Sequence, residues 1–428
     1  MEKTQIQEYL SLLKSEISPA LGCTEPAAVA LAVAYAAKAL NSEPEEIEVN
    51  VSQYIFKNGM NVGIPGTGMI GLDIAAALGA LSAAPEKELL VLKGISESQK
   101  EQAKKLVREK RVHIGLSDSE EKVWIQAIVR KGAEQAEAQI VHTHTDLSYL
   151  RRNGEILVQK EISSCTAEEL SEEEYTITLS SIVDFVLSVD APELLFLREV
   201  IRLNRTIAEE GLQHDYGLKV GKSLLEGERT GLISNDIATF AVACTAAAAD
   251  ARMAGCEKPV MSTAGSGNQG LTASLPVAAI GWKLKLSEET VLRALALSIL
   301  VTIHTKHYIG RLSVLCGCSI AASIGSCCGI IFLLGGNLNQ MKYGINTMVA
   351  DISGVVCDGA KPGCALKIAT AVTSAIRAAS MAVNNIGADA HDGIVTFDVE
   401  KTLENLGTLG NEGMVGTNST ILDMMLHK

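Results

Sequence analysis

Six of the ten cysteines in this chain fall between Arg311 and Lys367: Cys316, Cys318, Cys327, Cys328, Cys357 and Cys364. Zinc sites usually carry paired C-x-x-C spacings. This chain has none; it has C-x-C (316, 318), an adjacent pair (327, 328) and a wider pair (357, 364) in CDGAKPGC. Gly359, Pro362 and Gly363 preclude a continuous helix through that last segment, so its two sulfurs can turn to one side. Between Arg311 and Lys342 no residue is charged, which reads as a buried helix of small residues with a thiol at its entrance. Cys327 and Cys328 lie mid-helix and read as packing, while spacing does not choose between Cys316 and Cys318. Three thiols converging on one point suggest a metal centre. On a cubane iron–sulfur cluster, three thiolates leave one iron without a protein ligand, and such an iron is a Lewis acid. A base opposite it could remove a Cα proton and start a β-elimination.

Cys23 is a candidate for that base. In Gly22-Cys23-Thr24-Glu25-Pro26 it stands just before a helix, Thr24 being a fair cap and Pro26 suiting an early helical position. A helix N-terminus favours a thiolate; a small buried residue in a tight turn is the other reading. Lys57 and Asn58 could hold a carboxylate or be solvated. Gly66, Gly68 and Gly71 fit G-x-G-x-x-G, but Pro65 interrupts the strand-to-turn geometry, so a loop admitting a small ligand fits better than a dinucleotide site. His142 and His144 would share one face of a strand, a metal pair without an evident third ligand, and read better as an exposed polar face. Ser262, Thr263, Gly265, Ser266, Gly267, Asn268 and Gly270 form a loop rich in donors that suits an anion. His304, Lys306, His307 and Arg311 gather positive charge ahead of Cys316; they cap a helix, or Arg311 or His304 holds a substrate carboxylate.

At 428 residues two domains are the default. Apolar residues make up 47% and aromatics only 4%, which favours closely packed helices with small contact residues. The net charge of −13 argues against nucleic acid and membrane-surface partners; a small amino acid is the expected partner, and a homo-oligomer is compatible with the chain. The charged N-terminus lacks an apolar core followed by a cleavage site, which implies the reducing cytoplasm. The uncharged stretch after Arg311 raises a membrane span, but its Ser, Asn, Gln and Gly suit a buried helix better. Residues 46–56 alternate like a strand, as do 111–116, 122–130, 138–145 and 155–162, with a hairpin turn at Arg152-Asn153-Gly154. From residue 176 onward the pattern is nearly all helical. The expected fold class is α+β, a mostly helical catalytic domain with a central buried helix plus a smaller α/β domain in the N-terminal half. The expected domains are 1–44 (helices packing with the catalytic domain), 45–175 (α/β) and 176–428 (helical, iron–sulfur), with a solvated acidic linker at 168–174.

GCTEPAAVALA (22–32), IPGTGMIGLDIAAALGAL (64–81), AGSGNQG (264–270), RLSVLCG (311–317) and CDGAKPGCALK (357–367) resemble, in this order and across essentially the whole chain, the signatures of the L-cysteine desulfidase family. That family, formerly uncharacterised, is related to the α-chain of iron–sulfur L-serine dehydratases. The resemblance implies conversion of L-cysteine to hydrogen sulfide, ammonia and pyruvate with a [4Fe-4S] cluster. It places the proton acceptor on Cys23 and the cluster ligands on Cys316, Cys357 and Cys364, preferring Cys316 over Cys318. Ala264 stands where the family has Ser, which touches substrate preference rather than the cluster. L-serine or a related amino acid is an alternative substrate. The Ser/Gly loop also resembles the phosphate-binding loop of pyridoxal phosphate lyases, which would need Lys57 or Lys367 as a Schiff base, neither in a convincing context. A thiol-rich metal-binding or redox-sensing module without turnover is the non-enzymatic alternative.

Overall fold

The structure is a computed structural model and describes residues 1–160 and 175–427. The acidic segment expected to be a linker lies outside the described residues. In chain order the N-terminal half carries α1 (Lys3–Glu16), β1 (Ile17–Ala20), α2 (Thr24–Leu40), β2 (Glu46–Val51), α3 (Gln53–Gly59), α4 (Leu72–Ser82), α5 (Glu97–Arg108), β3 (Val112–Leu116), β4 (Trp124–Lys131), β5 (Glu134–Val141), β6 (Leu147–Arg152) and β7 (Glu155–Gln159). Then follow α6 (Leu179–Ser188), α7 (Leu197–Gln213), α8 (Val220–Glu226), α9 (Ile237–Met253), β8 (Val260–Thr263), α10 (Gly267–Lys283), α11 (Glu288–Ile309), α12 (Ala321–Leu333), α13 (Leu338–Ile352), α14 (Cys364–Ala382), α15 (Val399–Thr408) and α16 (Thr417–Leu426). The fold is α+β, with the larger sheet confined to the N-terminal half.

That sheet has the order β3-β2-β4-β5-β6-β7, antiparallel except for the β2–β3 pair. Alternation in β2 and β4 sends Ile47, Val49, Val51, Ile125, Ala127 and Val129 to one buried face. Full burial of such side chains contributes about 1.5–3 kcal/mol each. The other face is polar, with Arg130 on Glu48 at 2.9 Å and Arg151 on Glu137 at 2.7 Å. Helix α2 covers the apolar face. Its run of Ala, Val and Leu is buried nearly all round because α4 lies on its other side. The first 44 residues thus divide between two cores: α1 buries Tyr9, Leu10 and Leu13 with the helical part, whereas α2 packs on the sheet. The alternation read through residue 56 ends at Val51. Ser52 donates its Oγ to the Lys122 carbonyl at 2.7 Å and then caps α3, turning the chain beneath β4.

Helix α12 is the centre of the helical part. Its residues are buried on nearly every side by α10, α11, α13 and α14, with Cys327 and Cys328 fully enclosed as packing. No described helix is long and apolar enough to cross a membrane. Two short antiparallel pairings tie distant segments together. In one, β1 runs against β8, with Ile17 opposite Thr263 and Ala20 opposite Val260. In the other, Leu315 bridges Val356.

Buried Asn204 of α7 stabilises the first pairing. Its Oδ1 accepts from Met261 N at 2.8 Å, and its Nδ2 donates to Met261 O, Gly270 O and Ser274 Oγ at 3.3, 3.2 and 2.8 Å. Leu has a similar volume but would strand these groups in an apolar site, at about 1–3 kcal/mol for each polar atom left unpaired. Asn204→Leu should therefore lose about 3 kcal/mol or more in urea unfolding. A loss below about 1 kcal/mol would show that β8 is held by its strand pairing alone.

Candidate functional site

The two pairings meet at one cavity of about 580 Å³. Each places a pair of loops. Gly22 and Cys23 follow β1 and Ala264-Gly265-Ser266 follows β8; the antiparallel register sends these loops out at opposite ends of the ladder, and both turn back to line the cavity. Thr24 Oγ1 joins the two by donating to Gly265 O at 3.2 Å. On the other side, Cys316 N donates to Val355 O at 2.9 Å and Cys357 N to Val314 O at 2.7 Å. Cys316 and Cys357 are thereby pinned across the Leu315–Val356 bridge. Cys364 enters as the first residue of α14.

Cys23, Cys316, Cys318, Cys357 and Cys364 all line the cavity and all are free thiols. Among the described residues no three Cys, His, Asp or Glu side chains stand close enough together to hold a metal ion. Cys316, Cys318, Cys357 and Cys364 are nonetheless near enough to act on one another's charge. Sulfur donors are those an iron–sulfur cluster takes, so the donor set fits that group. Cys316, Cys357 and Cys364 could hold it. Cys318 lies with its Sγ 3.5 Å from that of Cys316.

Three helices of 17 or more residues, α2, α10 and α14, begin at the cavity with Cys23, Ser266 and Cys364 in their starting turns. Their first amides have no intrahelical acceptor and their dipoles add positive potential. Lys306, Lys367, Arg252 and Arg311 line the same space. This favours anions. A hydrogen bond from Cys318 holds the Cys316 thiol down to about 6 against the cost of burial, with Ser319 and Lys367 helping. Burial pushes Cys364 up to about 12 and raises Cys357. Burial works against the charge on Lys367, but its contact with Asp358 outweighs this and raises its pKa. Gly359 lets the thiol loop turn: its φ is +88°, and a Cβ there would stand 2.3 Å from Lys57 O.

Of the residues singled out from the sequence, the cavity brings together Cys23, Asn58, Ser266, Asn268, Arg311, Cys316, Cys357 and Cys364. Three lie off it. Lys57 is fully buried behind the thiol loop, donating to Cys357 O at 3.0 Å and Asn418 Oδ1 at 2.5 Å, so it braces Cys357. Ser262 belongs to β8 and donates to Ser18 O at 2.8 Å. His304 is enclosed between Tyr175, 3.0 Å from its Nδ1, and Glu400, 2.6 Å from its Nε2. Arg311 reaches the lining, but its guanidinium is largely exposed and paired with Glu16. The glycine loop spends its amides within the fold: Ile64 N goes to Met69 O, Gly66 N to Gly255 O and Gly71 N to Val62 O. It does not line the cavity, because Pro65 and the Gly63–Ile70 bridge fold it onto Gly255.

The sheet supplies the opposite wall. His142 and His144 lie there, half-buried rather than on an exposed face, because His142 takes a left-handed turn (φ 66°) after β5. Burial holds His144 below the usual imidazole range. Sequence reasoning gave no role to Arg252, Glu25 and Gln269, and counted Lys306 only among the cations ahead of Cys316. For Arg252 there was a signal, a cation inside the Ala-rich run of α9, where charge is rarely buried without purpose.

The geometry defines a thiol-lined, cation-ringed pocket at the starts of buried helices, with a small sheet as its far wall. The family described as serine dehydratase alpha chain matches residues 86–423. A UPF0597 protein of Oleidesulfovibrio alaskensis is 44% identical over the whole of both chains. One from Clostridium perfringens is 42% identical over 98% of each, and one from Aeromonas hydrophila 40% identical over 100% of this chain and 97% of that one. The chain belongs to the serine dehydratase alpha chain family, and so to a dehydratase and lyase type of enzyme.

Of the two readings of Cys23, its burial agrees with the small enclosed residue. Cys23 does cap α2, but complete burial outweighs the favourable charge of Arg252, and its pKa is pushed up to about 11. It is a neutral thiol at pH 7. Alkylation of Cys23 by iodoacetamide in cluster-free protein should accordingly rise about tenfold per pH unit between about pH 7 and 10, since only the thiolate reacts. A plateau reached near the ordinary thiol value of about 8.5 would show that burial does not control it.

Proposed function

We propose that this chain is a β-eliminating carbon–sulfur lyase that converts L-cysteine to hydrogen sulfide, ammonia and pyruvate, with Cys316, Cys357 and Cys364 holding a [4Fe-4S] cluster and Cys23 as the base. The observation that carries this reading is the meeting of four thiols from three distant segments on one cavity among helix N-termini. When bound, the cluster supplies an iron without a protein thiolate, a Lewis acid toward the substrate's leaving group.

The chain's own groups do the rest. The first-turn amides of α10 and the cations of the lining draw in the carboxylate. Lys57, from behind, fixes the carbonyl of Cys357 and so the direction of its sulfur. The His142 and His144 wall closes the far side against water, which strengthens every charge interaction inside. Cys23, once deprotonated, takes the proton from Cα while the Cβ–S bond breaks and hydrosulfide leaves. The aminoacrylate product becomes the imine and hydrolyses to pyruvate and ammonia. Activity should therefore rise with pH through the neutral range, as the Cys23 proton is lost.

A second reading has the same chemistry with water as leaving group from L-serine; the serine dehydratase family match favours it. Protein reconstituted with iron and sulfide under anoxic conditions, assayed for sulfide from L-cysteine and pyruvate from L-serine, decides between them. Cys23→Ser should keep the brown absorption and lose turnover by about 100-fold or more. Cys357→Ser should lose both, and retained turnover in that variant would end the cluster argument.

A further inference from the structure

Among the cations that line the cavity, Arg252 is the one set between two helix starts. It sits in the last turn of α9 and is only 4% exposed. Its Nη1 donates to Asn268 Oδ1 at 3.0 Å, its side chain also acts on the Cys23 thiol, and its Nε has no partner among the described residues. Among the described residues no carboxylate is paired with it. Glu25, a carboxylate of the same lining, instead accepts from Asn58 Nδ2 at 3.0 Å. A buried guanidinium with no anion is strongly unfavourable.

The C-terminal end of α9 offsets part of that charge, whereas the helices that start beside it add to it. Arg252 acts on Cys23, the cap of α2, and stacks on the first turn of α10, where a Cβ on Gly267 would stand 2.5 Å from Nε. The fold has left room for a cation at the positive ends of two helices of 17 residues. Like signs repel there unless an anion lies between them. Cys23, a neutral thiol at rest, does not supply it. Arg311, more exposed and already engaged with Glu16, is placed to guide an anion inward rather than to fix one.

We propose that Arg252, with Asn268 and the first amides of α10, is the anchor for the substrate's α-carboxylate, and that it thereby sets Cα against Cys23. A planar guanidinium matches a carboxylate with two parallel hydrogen bonds, so the site selects α-amino acids with a free carboxylate over their amides. The identity of the ligand rests on the lyase reading; the anion site does not.

The test uses the full chain, with and without reconstituted cluster, and the unreactive probes L-alanine and L-alaninamide. The readout is protection of Cys23 from iodoacetamide, followed peptide by peptide by mass spectrometry. L-Alanine should half-protect at a concentration roughly 30-fold or more below that of the amide. The acid-to-amide ratio should fall to near one in Arg252→Gln, recover in part in Arg252→Lys and persist in Arg311→Gln. Using the ratio removes any direct effect of Arg252 on Cys23 reactivity. Equal protection by acid and amide in the unaltered protein, protection by neither, or a ratio that survives Arg252→Gln would overturn the proposal. If the ratio behaves as expected and L-cysteine yields no sulfide, the lyase reading fails and the carboxylate anchor stands. The converse pair of results separates them the other way.

Discussion

Two short backbone pairings carry the cavity. A four-residue ladder and a single bridge would be marginal alone in water, yet they bring together segments more than 200 residues apart in one case and about 40 in the other. What makes them persist is the helical core around them. Asn204 satisfies the polar groups of Met261, Leu315 is buried in the helical core and packs near Gly410, and α14 starts shortly after the bridge. The chemistry is thus mounted on loops whose ends cannot move independently.

That mounting explains the electrostatics. Helices that start at the same place project unsatisfied amides into it, and the lysines and arginines beside them add to the same sign. Such a site is costly until anions fill it: thiolates, a substrate carboxylate, or both. The buried Lys57 fits this scheme. Burial lowers its pKa, and the neighbouring thiols Cys357 and Cys316 and the acidic groups Glu25 and Asp358 act to restore its charge. Its hydrogen bond to the Cys357 carbonyl links that charge to α16 through Asn418. The last helix thereby braces a thiol it never touches.

The small sheet has a part beyond stability. Its apolar face is covered by α2, the helix that Cys23 caps, and its loops bring His142, His144 and Glu121 across the cavity from the thiols. The sheet and Cys23 therefore move as one body with α2. Cys23 and the histidine wall thus reach the cavity from a single packed unit.

Sequence alone determined much of this. The uncharged run after Arg311 reads as a buried helix, because it carries no charge while its Ser, Asn, Gln and Gly suit a protein interior better than lipid. Glycine and proline between Cys357 and Cys364 forced a loop, and Pro26 suited the start of a helix, though the cap position falls on Cys23 rather than Thr24, whose hydroxyl turns to Gly265 O instead. These are local properties, settled by sterics and side-chain chemistry within a few residues. Which donors face the cavity was decided by tertiary contacts. His304 has the same sequence credentials as Arg311, but helix phase turned it toward Tyr175 and Glu400. The glycine loop looked open until Gly255 took its amides. Arg252 gained its meaning only from two helix starts contributed by distant segments. The state of Cys23 likewise followed from burial, which no local motif encodes, and burial outweighed the helix-start effect that the motif does encode.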